Sequence, residues 1–206
     1  MRLNSKCKIC RRVGEKLFLK GERCFSQKCA LTRRSYPPGI HGPKRRRSLS
    51  EYGLQLREKQ KLRYIYGITE TQLRNYFEKI TGKEDKSRSL LSMLEHRLDN
   101  VVYRLGFAKS RRTSRQIISH GHILVNGRKV DIPSYQVKKG DIIKIKKTSI
   151  KKGLFKDLSV HLKNYQVPSW LSLDKNKLIG KVIGEPTIQD IGEPAEVEKV
   201  IEFYSR

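Results

Sequence analysis

Four cysteines near the N-terminus have the spacing of a metal-binding site. They are Cys7, Cys10, Cys24 and Cys29, in the pattern C-x2-C-x13-C-x4-C. The first pair can place two thiolates on one ion, and the loop that follows is long enough to bring back the second pair. Four thiolates are a ligand set that tetrahedral zinc takes. The pattern predicts a structural zinc site that replaces a hydrophobic core in this segment.

Other uses of the thiols are less consistent with the surrounding sequence. Lysines and arginines beside the cysteines favour the thiolate form, as in a metal site. Two disulfides are disfavoured because no secretion signal is visible. An iron–sulfur cluster and free or oxidised thiols remain alternatives. Four protein ligands leave no open position for catalytic zinc. His41 could replace one of the metal ligands, but it lies in a proline-rich stretch. It is therefore expected to contact RNA or to be exposed.

The charge of the chain points to a polyanionic partner. The 206 residues include 46 Lys and Arg against 20 Asp and Glu, a formal charge of +26. Neutralising phosphates releases condensed counterions, so a nucleic acid suits such a chain. Residues 1–64 carry a net +15, residues 65–169 carry +13 and residues 170–206 carry −2. The N-terminal third is predicted to be the densest phosphate-binding segment, and the C-terminal segment is expected to pack on protein or stay solvated.

Three groups of basic residues are the candidate RNA contacts. One lies in the proline-rich stretch of residues 36–48, one lies on a predicted helix after Ser50, and one surrounds another predicted helix after Ser110. In the last group, arginines at i, i+1 and i+4 share a helix face, and guanidinium groups match phosphate oxygens. The candidates are Arg45, Arg46, Arg47, Arg57, Lys59, Lys61, Arg63, Lys109, Arg111, Arg112, Arg115, His120, His122, Arg128 and Lys129.

Apolar residues at helical spacing predict the elements that position these side chains. A helix is expected to run from Ser50 to a stop at Gly67. A second begins at Thr69, with Gln72 completing a capping box. A third spans about residues 90–105, and a fourth follows Ser110 and stops at Gly121. A last helix is expected to start at Pro194.

The period then changes to two, which indicates strands. Residues 123–125 and 128–130 flank Asn126-Gly127, the strongest short signal for a hairpin. Residues 135–137 and 141–146 are predicted as further strands. These strands with the two preceding helices form a compact α+β module.

No catalytic motif stands out. The chain has no phosphate-cradling Gly-rich loop, no G-x-S-x-G and no H-E-x-x-H. Glu95 and Asp99 are paired at i, i+4, but Arg97 lies between them, so Asp99 is expected to be a structural partner of a nearby arginine. The chain is therefore not expected to be an enzyme or to bind a small-molecule substrate. It is also not expected to enter a membrane, since no apolar run is long enough to span one.

Residues 95–141, from EHRLDNVVYRLGF to VKKGD, closely resemble the RNA-binding module named after small-subunit ribosomal protein four. The flanking segments LFLKGERC, RRSYPPGIHG, LREKQKLRYIYGI, WLSLD and VIEFYSR resemble the same ribosomal family, and they are more specific because the module also occurs in RNA-modifying enzymes and some tRNA synthetases. All four cysteine positions are filled, which matches the zinc-binding branch of the family.

The resemblance implies an α+β fold in which a mostly helical domain, formed by N- and C-terminal segments, surrounds an inserted RNA-binding module of helices and antiparallel sheet. Residues 1–48 would be the zinc-stapled segment and basic arm. Residues 49–94 would form the helical domain, completed by residues 170–206. Residues 95–157 would form the module, and residues 158–206 would pack on the helical domain.

The resemblance also implies a role. It predicts a structural constituent of the cytoplasmic (or organellar) small ribosomal subunit that binds the five-prime domain of small-subunit rRNA, nucleates assembly and contributes to decoding accuracy. The implied neighbours are small-subunit proteins three and five, and mRNA where it enters the subunit. The alternatives are an RNA-modifying enzyme that uses the module to capture substrate, and a zinc-dependent repressor that binds mRNA.

Overall fold

The structure is a computed structural model that describes residues 5–44, 48–150, 153–192 and 195–205. It divides into two compact units. The first unit comprises Met1–Leu90 and Glu193–Arg206, and the second comprises Leu91–Gly192. The predicted combination of helices with an antiparallel sheet is confirmed.

The elements are numbered in chain order over the described residues. The α-helices are α1 (Lys6–Val13), α2 (Ala30–Arg33), α3 (Glu51–Tyr66), α4 (Glu70–Ile80), α5 (Lys86–Glu95), α6 (Leu98–Arg104), α7 (Arg111–Ser119), α8 (Lys147–Ile150), α9 (Leu158–Lys163), α10 (Ile188–Ile191) and α11 (Val197–Tyr204). The strands are β1 (Ile123–Val125), β2 (Arg128–Lys129), β3 (Ile142–Ile145), β4 (Leu171–Asp174) and β5 (Ile179–Val182). Short 3-10 turns occupy Gly21–Cys24 and Gly153–Phe155.

Helices α3 and α4 begin and end where local chemistry requires. The Ser50 hydroxyl accepts a hydrogen bond from the Gly53 N–H at the start of α3. Gly67 ends that helix with φ +63°, a left-handed conformation that glycine adopts without a Cβ penalty. Thr69 and Gln72 then form the reciprocal capping box of α4. These three signals confirm the predicted helix boundaries.

The C-terminal helix α11 packs against α3 in the first unit. Its Val197 and Val200 are buried. The rings of Phe203 and Tyr52 lie 5.6 Å apart, and Gln55 donates to Glu202 at 2.9 Å. Two helices that are far apart in the sequence therefore share one interface. The predicted start of the last helix at Pro194 lies outside the described residues, and α11 itself begins at Val197.

The second unit contains one antiparallel sheet of order β2-β1-β3-β5-β4 over the described residues. The predicted Asn126-Gly127 hairpin joins β1 and β2, with both residues at positive φ. Strands β4 and β5 extend the sheet beyond β3, where Gly180 lies opposite Ile143. The structure thus differs from the expected division of the chain, because residues 158–192 belong to the second unit and the helical unit takes up only the chain after them.

The helix expected over about residues 90–105 is two helices, α5 and α6. Arg97 between them is extended, with φ −65° and ψ 135°, and forms a bridge to Gln136. The first N–H groups of α6 donate outward, from Leu98 to the carbonyl of Tyr135 at 2.8 Å. Residues 135–137 were expected to form a strand, but in the structure they make this bridge and cap α6. Backbone pairing with that loop interrupts a helix that the apolar spacing alone would continue.

The apolar core of the second unit lies between α6, α7 and the sheet. Leu98, Val102, Ile118, Ile123 and Ile143 are among its completely buried members. No helix in the described parts of the chain is long and apolar enough to cross a membrane.

Candidate RNA-binding surface and cysteine segment

The N-terminal end of α7 carries exposed cations. Ser110 caps the helix by accepting from the Thr113 N–H at 3.2 Å. Lys109, just before the cap, and Arg112, in the first turn, are exposed. A helix N-terminus flanked by cations suits a phosphate group. The predicted candidates Lys109 and Arg112 therefore lie where a phosphate can reach them.

The C-terminal end of α7 meets the β1–β2 hairpin, which carries the next predicted group. Arg128, Lys129 and His120 are all exposed. A Cβ at Gly121, which follows α7, would fall on the Lys129 side chain, so the stem of that lysine lies directly over the glycine. The hairpin is held in place by Asn126, which accepts from the Ile142 N–H at 2.9 Å. Exposed cations thus mark both ends of α7.

Arg115, also predicted as an RNA contact, points into a buried ion cluster. Its guanidinium donates to Asp99 Oδ2 at 2.5 and 3.1 Å. Asp99 is 3% exposed and is also held by Arg97 through bonds of 2.9 and 3.1 Å. The Ser114 hydroxyl donates to the Asp99 carbonyl, which ties α7 to α6. The prediction that Asp99 pairs with a nearby arginine is confirmed.

Arg111 is engaged in a second cluster around Glu95, which has no solvent exposure. Arg104 binds Glu95 with two hydrogen bonds of 3.0 and 3.1 Å, and Asn100 adds one at 2.8 Å. Arg111 donates to Asn100 Oδ1 at 2.7 Å and stacks over the Tyr103 ring at 4.7 Å. Both carboxylates of the Glu95–Asp99 pair are saturated with structural partners, as expected if they form no active site.

The basic residues of α3 are largely paired with glutamates of the first unit. Lys61 Nζ lies 2.6 Å from Glu15 and 3.6 Å from Glu58. Arg63 and Lys59 both bind Glu70, at 2.9 and 2.8 Å. The side chain of Arg57, at 38% exposure, is the most accessible of the four predicted contacts on this helix.

Lys59 differs most from its predicted role. It is 6% exposed, and its ammonium lies 4.0 Å from the centre of the Phe203 ring as well as against Glu70. Burial of Glu70 opposes ionisation, but hydrogen bonds from Lys59, Tyr204 and Arg63 outweigh it and lower the pKa of that carboxyl. Lys59 is placed as the centre of an internal ion cluster, because α11 covers it. Contacts with α11 are invisible in the local sequence.

His122 is likewise buried rather than presented to solvent. It is 6% exposed, its Nδ1 lies 3.0 Å from the Ser149 hydroxyl and its ring meets Phe155 edge-on. The Arg45, Arg46 and Arg47 run lies outside the described residues. His41 is exposed, as expected.

Four exposed lysines near β3 were not among the predicted contacts. They are Lys138, Lys139, Lys146 and Lys147. Two precede the turn into the strand and two follow the strand. The alternating pattern of the strand predicted only that such lysines face solvent. The occurrence of two lysines at each end of β3 was the sequence signal that could have identified them.

The cysteine segment buries three of its four thiols, those of Cys10, Cys24 and Cys29. None of the four is in a disulfide. Burial raises the pKa of the Cys10 thiol, and the nearby thiols of Cys24, Cys7 and Cys29 raise it further against a backbone hydrogen bond from Leu17. Among the described residues, no group of three or more Cys, His, Asp or Glu side chains is already arranged to hold a metal ion.

Backbone N–H groups nevertheless face two other thiols of this segment. The Lys20 N–H donates to Cys24 Sγ at 3.4 Å. Burial works to raise the pKa of the Cys29 thiol, but hydrogen bonds from Thr32 and Leu31 outweigh it and lower the pKa overall. Such donors stabilise thiolates, which are the form that binds metals.

Two protein-family models match consecutive parts of the chain. The first, described as the ribosomal protein S4/S9 N-terminal domain, matches residues 2–95. The second, described as the S4 domain, matches residues 96–143, which include α6, α7 and the hairpin.

Similar proteins match over nearly their full lengths. The small ribosomal subunit protein uS4 of Halothermothrix orenii is 54% identical over 203 residues, which cover 97% of this chain and 96% of the relative. The uS4 protein of Thermus thermophilus is 54% identical over 201 residues, with the same coverage. The uS4A protein of Clostridium novyi is 51% identical over 205 residues, covering 99% of this chain and 98% of the relative.

Proposed function

The chain belongs to the family of the small ribosomal subunit protein uS4, and on that basis we propose that it is a structural constituent of the small ribosomal subunit that binds rRNA directly. It acts as a ribosomal component and not as an enzyme. Its bacterial relatives are proteins of the small ribosomal subunit. We therefore expect this chain in the small subunit of the cytoplasmic ribosome.

The exposed cations at the two ends of α7 support direct RNA binding. Lys109 and Arg112 lie at its N-terminal end, and Arg128 and Lys129 lie at the other. On the same helix, Arg111 is held by Asn100 and lies near Glu95, and Arg115 is held by Asp99, so these two arginines fix the helix while the exposed cations meet phosphates. Each neutralised phosphate contributes through counterion release.

Salt-dependent RNA binding tests this function. We expect the variant Lys109→Gln/Arg112→Gln/Lys129→Gln to bind a five-prime-domain rRNA fragment more weakly than the native protein. The dependence of log affinity on log salt should flatten by about one for each lost phosphate contact. Filter binding or fluorescence anisotropy over a salt series measures both quantities.

A matched variant separates this surface from total charge. Lys163→Gln/Lys177→Gln/Lys181→Gln removes the same charge from exposed positions elsewhere in the second unit. We expect a smaller loss from this control. Equal losses in the two variants, or equal affinity of the native protein for the fragment and an unrelated duplex at the same salt, would contradict specific binding through α7.

The finer assignments of partner and role extend the proposal. The rRNA partner is the five-prime domain, bound early so that the protein nucleates assembly. Small-subunit proteins three and five are its neighbours, near the place where mRNA enters, and through this position it contributes to decoding accuracy. The net +13 of residues 65–169 and +15 of residues 1–64 provide enough cationic surface for several RNA helices.

The cysteine segment is proposed to hold structural zinc. Cys7 and Cys10 lie one helical turn apart on α1, and backbone N–H groups support the thiols of Cys10, Cys24 and Cys29. These residues fit the ion in kind, since zinc accepts four thiolates. When bound, the ion would join α1 to the chain around α2 and supply cohesion that this core-poor segment lacks.

The alternative of an RNA-modifying enzyme has no support. The candidate carboxylate pair is used for structure, and the family is a structural one. A zinc-dependent repressor would use the same RNA-binding surface, and no separate feature of the described residues favours it.

A further inference from the structure

Two phenylalanine rings stack on each other at the surface of the first unit, beside the cysteines. The ring centroids of Phe18 and Phe25 lie 4.8 Å apart, with an interplanar angle of 29°. Phe25 is 75% exposed and Phe18 is 40% exposed. A single exposed apolar side chain is ordinary on a protein surface, but two stacked rings form a contiguous aromatic patch. With one face against Phe18 and most of its area in water, Phe25 presents its other face to solvent.

The backbone around the 3-10 turn Gly21–Cys24 brings the two rings together. Phe18 precedes this turn with φ +49°, a left-handed conformation that a bulky side chain rarely adopts. Its carbonyl accepts from the Gly21 N–H at 3.4 Å, and Phe25 follows the turn as its C-cap. Strained backbone persists only where the surrounding structure requires it, and it concentrates at binding sites. The strained turn therefore fixes the ring of Phe18 behind the exposed ring of Phe25.

Exposed cations lie before and after Phe25 in the chain. Between residues 16 and 28 they are Lys16, Lys20, Arg23 and Lys28, against the single acidic residue Glu22. Lys20 directly precedes the turn that Phe25 follows. The Arg23 Nε donates to the carbonyl of Lys28 at 3.4 Å, so these two residues lie together. Interfaces between proteins are depleted in lysine, whereas cations around an aromatic ring suit a nucleic acid.

We propose that the Phe18–Phe25 pair stacks on an unpaired base of rRNA, a contact that rests on the rRNA-binding function proposed above. The base lies on the open face of Phe25, and the phosphates on either side of it meet the neighbouring cations. Bases in the loops and bulges of RNA stack on aromatic side chains in this way. Phe18 supports Phe25 from behind, so the exposed ring loses little side-chain freedom when the base binds.

The chemistry of the two rings defines the class of nucleotide. A phenylalanine ring has no hydrogen-bond donor or acceptor with which to read the edge of a base. Stacking tolerates all four bases, because each of them has a π-face. A base inside a continuous duplex is covered on both faces by its neighbours and offers no face to Phe25. The occupant is therefore a nucleotide of a loop, bulge or strand end, bound without selection of its base.

Three substitutions of Phe25 test this contact on the full-length protein. Phe25→Ala and Phe25→Leu remove the ring, and Phe25→Trp replaces it by a larger one. We expect the first two variants to bind the five-prime-domain fragment about 5- to 150-fold more weakly, the effect of losing one stacked base. Phe25→Trp should bind at least as tightly as the native protein. The salt slope should be unchanged in all three variants, because no phosphate contact is removed.

The fluorescence of the Phe25→Trp variant supplies a second readout. The single native tryptophan, Trp170, is 2% exposed in the second unit, and the native protein provides its background signal. We expect the fragment to quench the emission of the added indole, because a stacked base quenches it by direct contact. Val160 of α9, which is 69% exposed, is the control position. Val160→Trp should keep its emission, and Val160→Ala should bind the fragment like the native protein.

The leucine variant separates stacking from other roles of the pair, because it keeps an apolar side chain without a π-face. Native affinity of Phe25→Leu would overturn the stacked base and favour a protein partner on this patch. A loss in Phe25→Trp equal to that in Phe25→Ala, or an indole that the fragment does not quench, would also overturn it. Failure of the native protein to bind the fragment would instead overturn the rRNA-binding function itself.

Discussion

At the scale of single residues, two buried carboxylates give four arginines a structural role. Asp99 holds Arg97 and Arg115, and Glu95 holds Arg104 and lies 3.8 Å from Arg111. The guanidinium groups outnumber the carboxylates two to one, so the cluster keeps positive charge inside the module. It ties α6 to α7.

Removing one carboxylate from this cluster should destabilise the protein strongly. Asp99→Asn removes the carboxylate charge that binds the guanidinium of Arg97, which is 1% exposed. Breaking a buried pair in this way costs about 3–5 kcal/mol. Urea unfolding of the native and variant proteins measures the difference in free energy of unfolding.

The exposed residue Asp131 provides the comparison for that variant. Its carboxylate lies 3.7 Å from Lys129, with both side chains more than half exposed. Asp131→Asn is expected to change stability by less than about 1 kcal/mol. Similar losses in the two variants would show that the Asp99 cluster has no special structural role.

At the scale of elements, strand β5 packs closely on the core because one of its residues, Gly180, has no side chain. Gly180 lies opposite Ile143 of β3, and Leu105 occupies the space where its Cβ would be. The leucine methyl carbon Cδ2 would lie 2.7 Å from an added Cβ. Close packing here depends on glycine.

We expect Gly180→Ala to destabilise the second unit by about 1–3 kcal/mol, because a buried leucine must move. Chemical denaturation followed by circular dichroism measures the loss. Gly184→Ala is the matched control, since a Cβ there meets no atom within 4 Å. A Gly180 variant as stable as this control would mean that Leu105 adjusts without cost.

What could be predicted from the sequence was local. Caps and stops gave α3 and α4, and the Asn126-Gly127 pair gave the hairpin, because each signal lies within a few residues of its element. The pairing of β3 with β5 joins residues that are far apart in the sequence, as in Ile143 with Gly180, which are 37 positions apart, and no local signal reveals it. The prediction that Lys59 contacts RNA had the same limit. Helix α11, which covers Lys59, is remote in sequence, so the local pattern did not reveal it.

At the scale of the whole molecule, cohesion and charge are distributed differently. The second unit has a continuous apolar core, and α3, α4 and α11 share another interface. Residues 5–44 contribute few buried apolar side chains besides cysteine, namely Val13 and Leu17. The segment with the highest charge density therefore has the least packing to hold it, and the proposed zinc site would stabilise the protein most there.

Zinc removal should consequently lower the thermal stability of the protein. We expect purified protein, under reducing conditions, to contain about one zinc per chain. A chelator should lower the Tm and added zinc should restore it, because site formation and folding of this segment are coupled. Metal analysis and calorimetry make the two measurements.

A cysteine variant distinguishes the bound ion from other effects of the chelator. Cys29→Ser should melt below the native protein and show no further change on chelation. Ser26→Ala, at an exposed position in the same loop, should respond like the native protein. Native protein that is free of zinc and indifferent to chelators would contradict the site.

The contact of α11 with α3 has a consequence for synthesis of the protein. Gln55 and Glu70 are synthesised 147 and 134 residues before their partners Glu202 and Tyr204. Residues 91–192 complete their own unit in that interval. During translation, the face of α3 that α11 will cover stays open to water and to passing chaperones. A helix made early in synthesis is thus among the last to complete its packing.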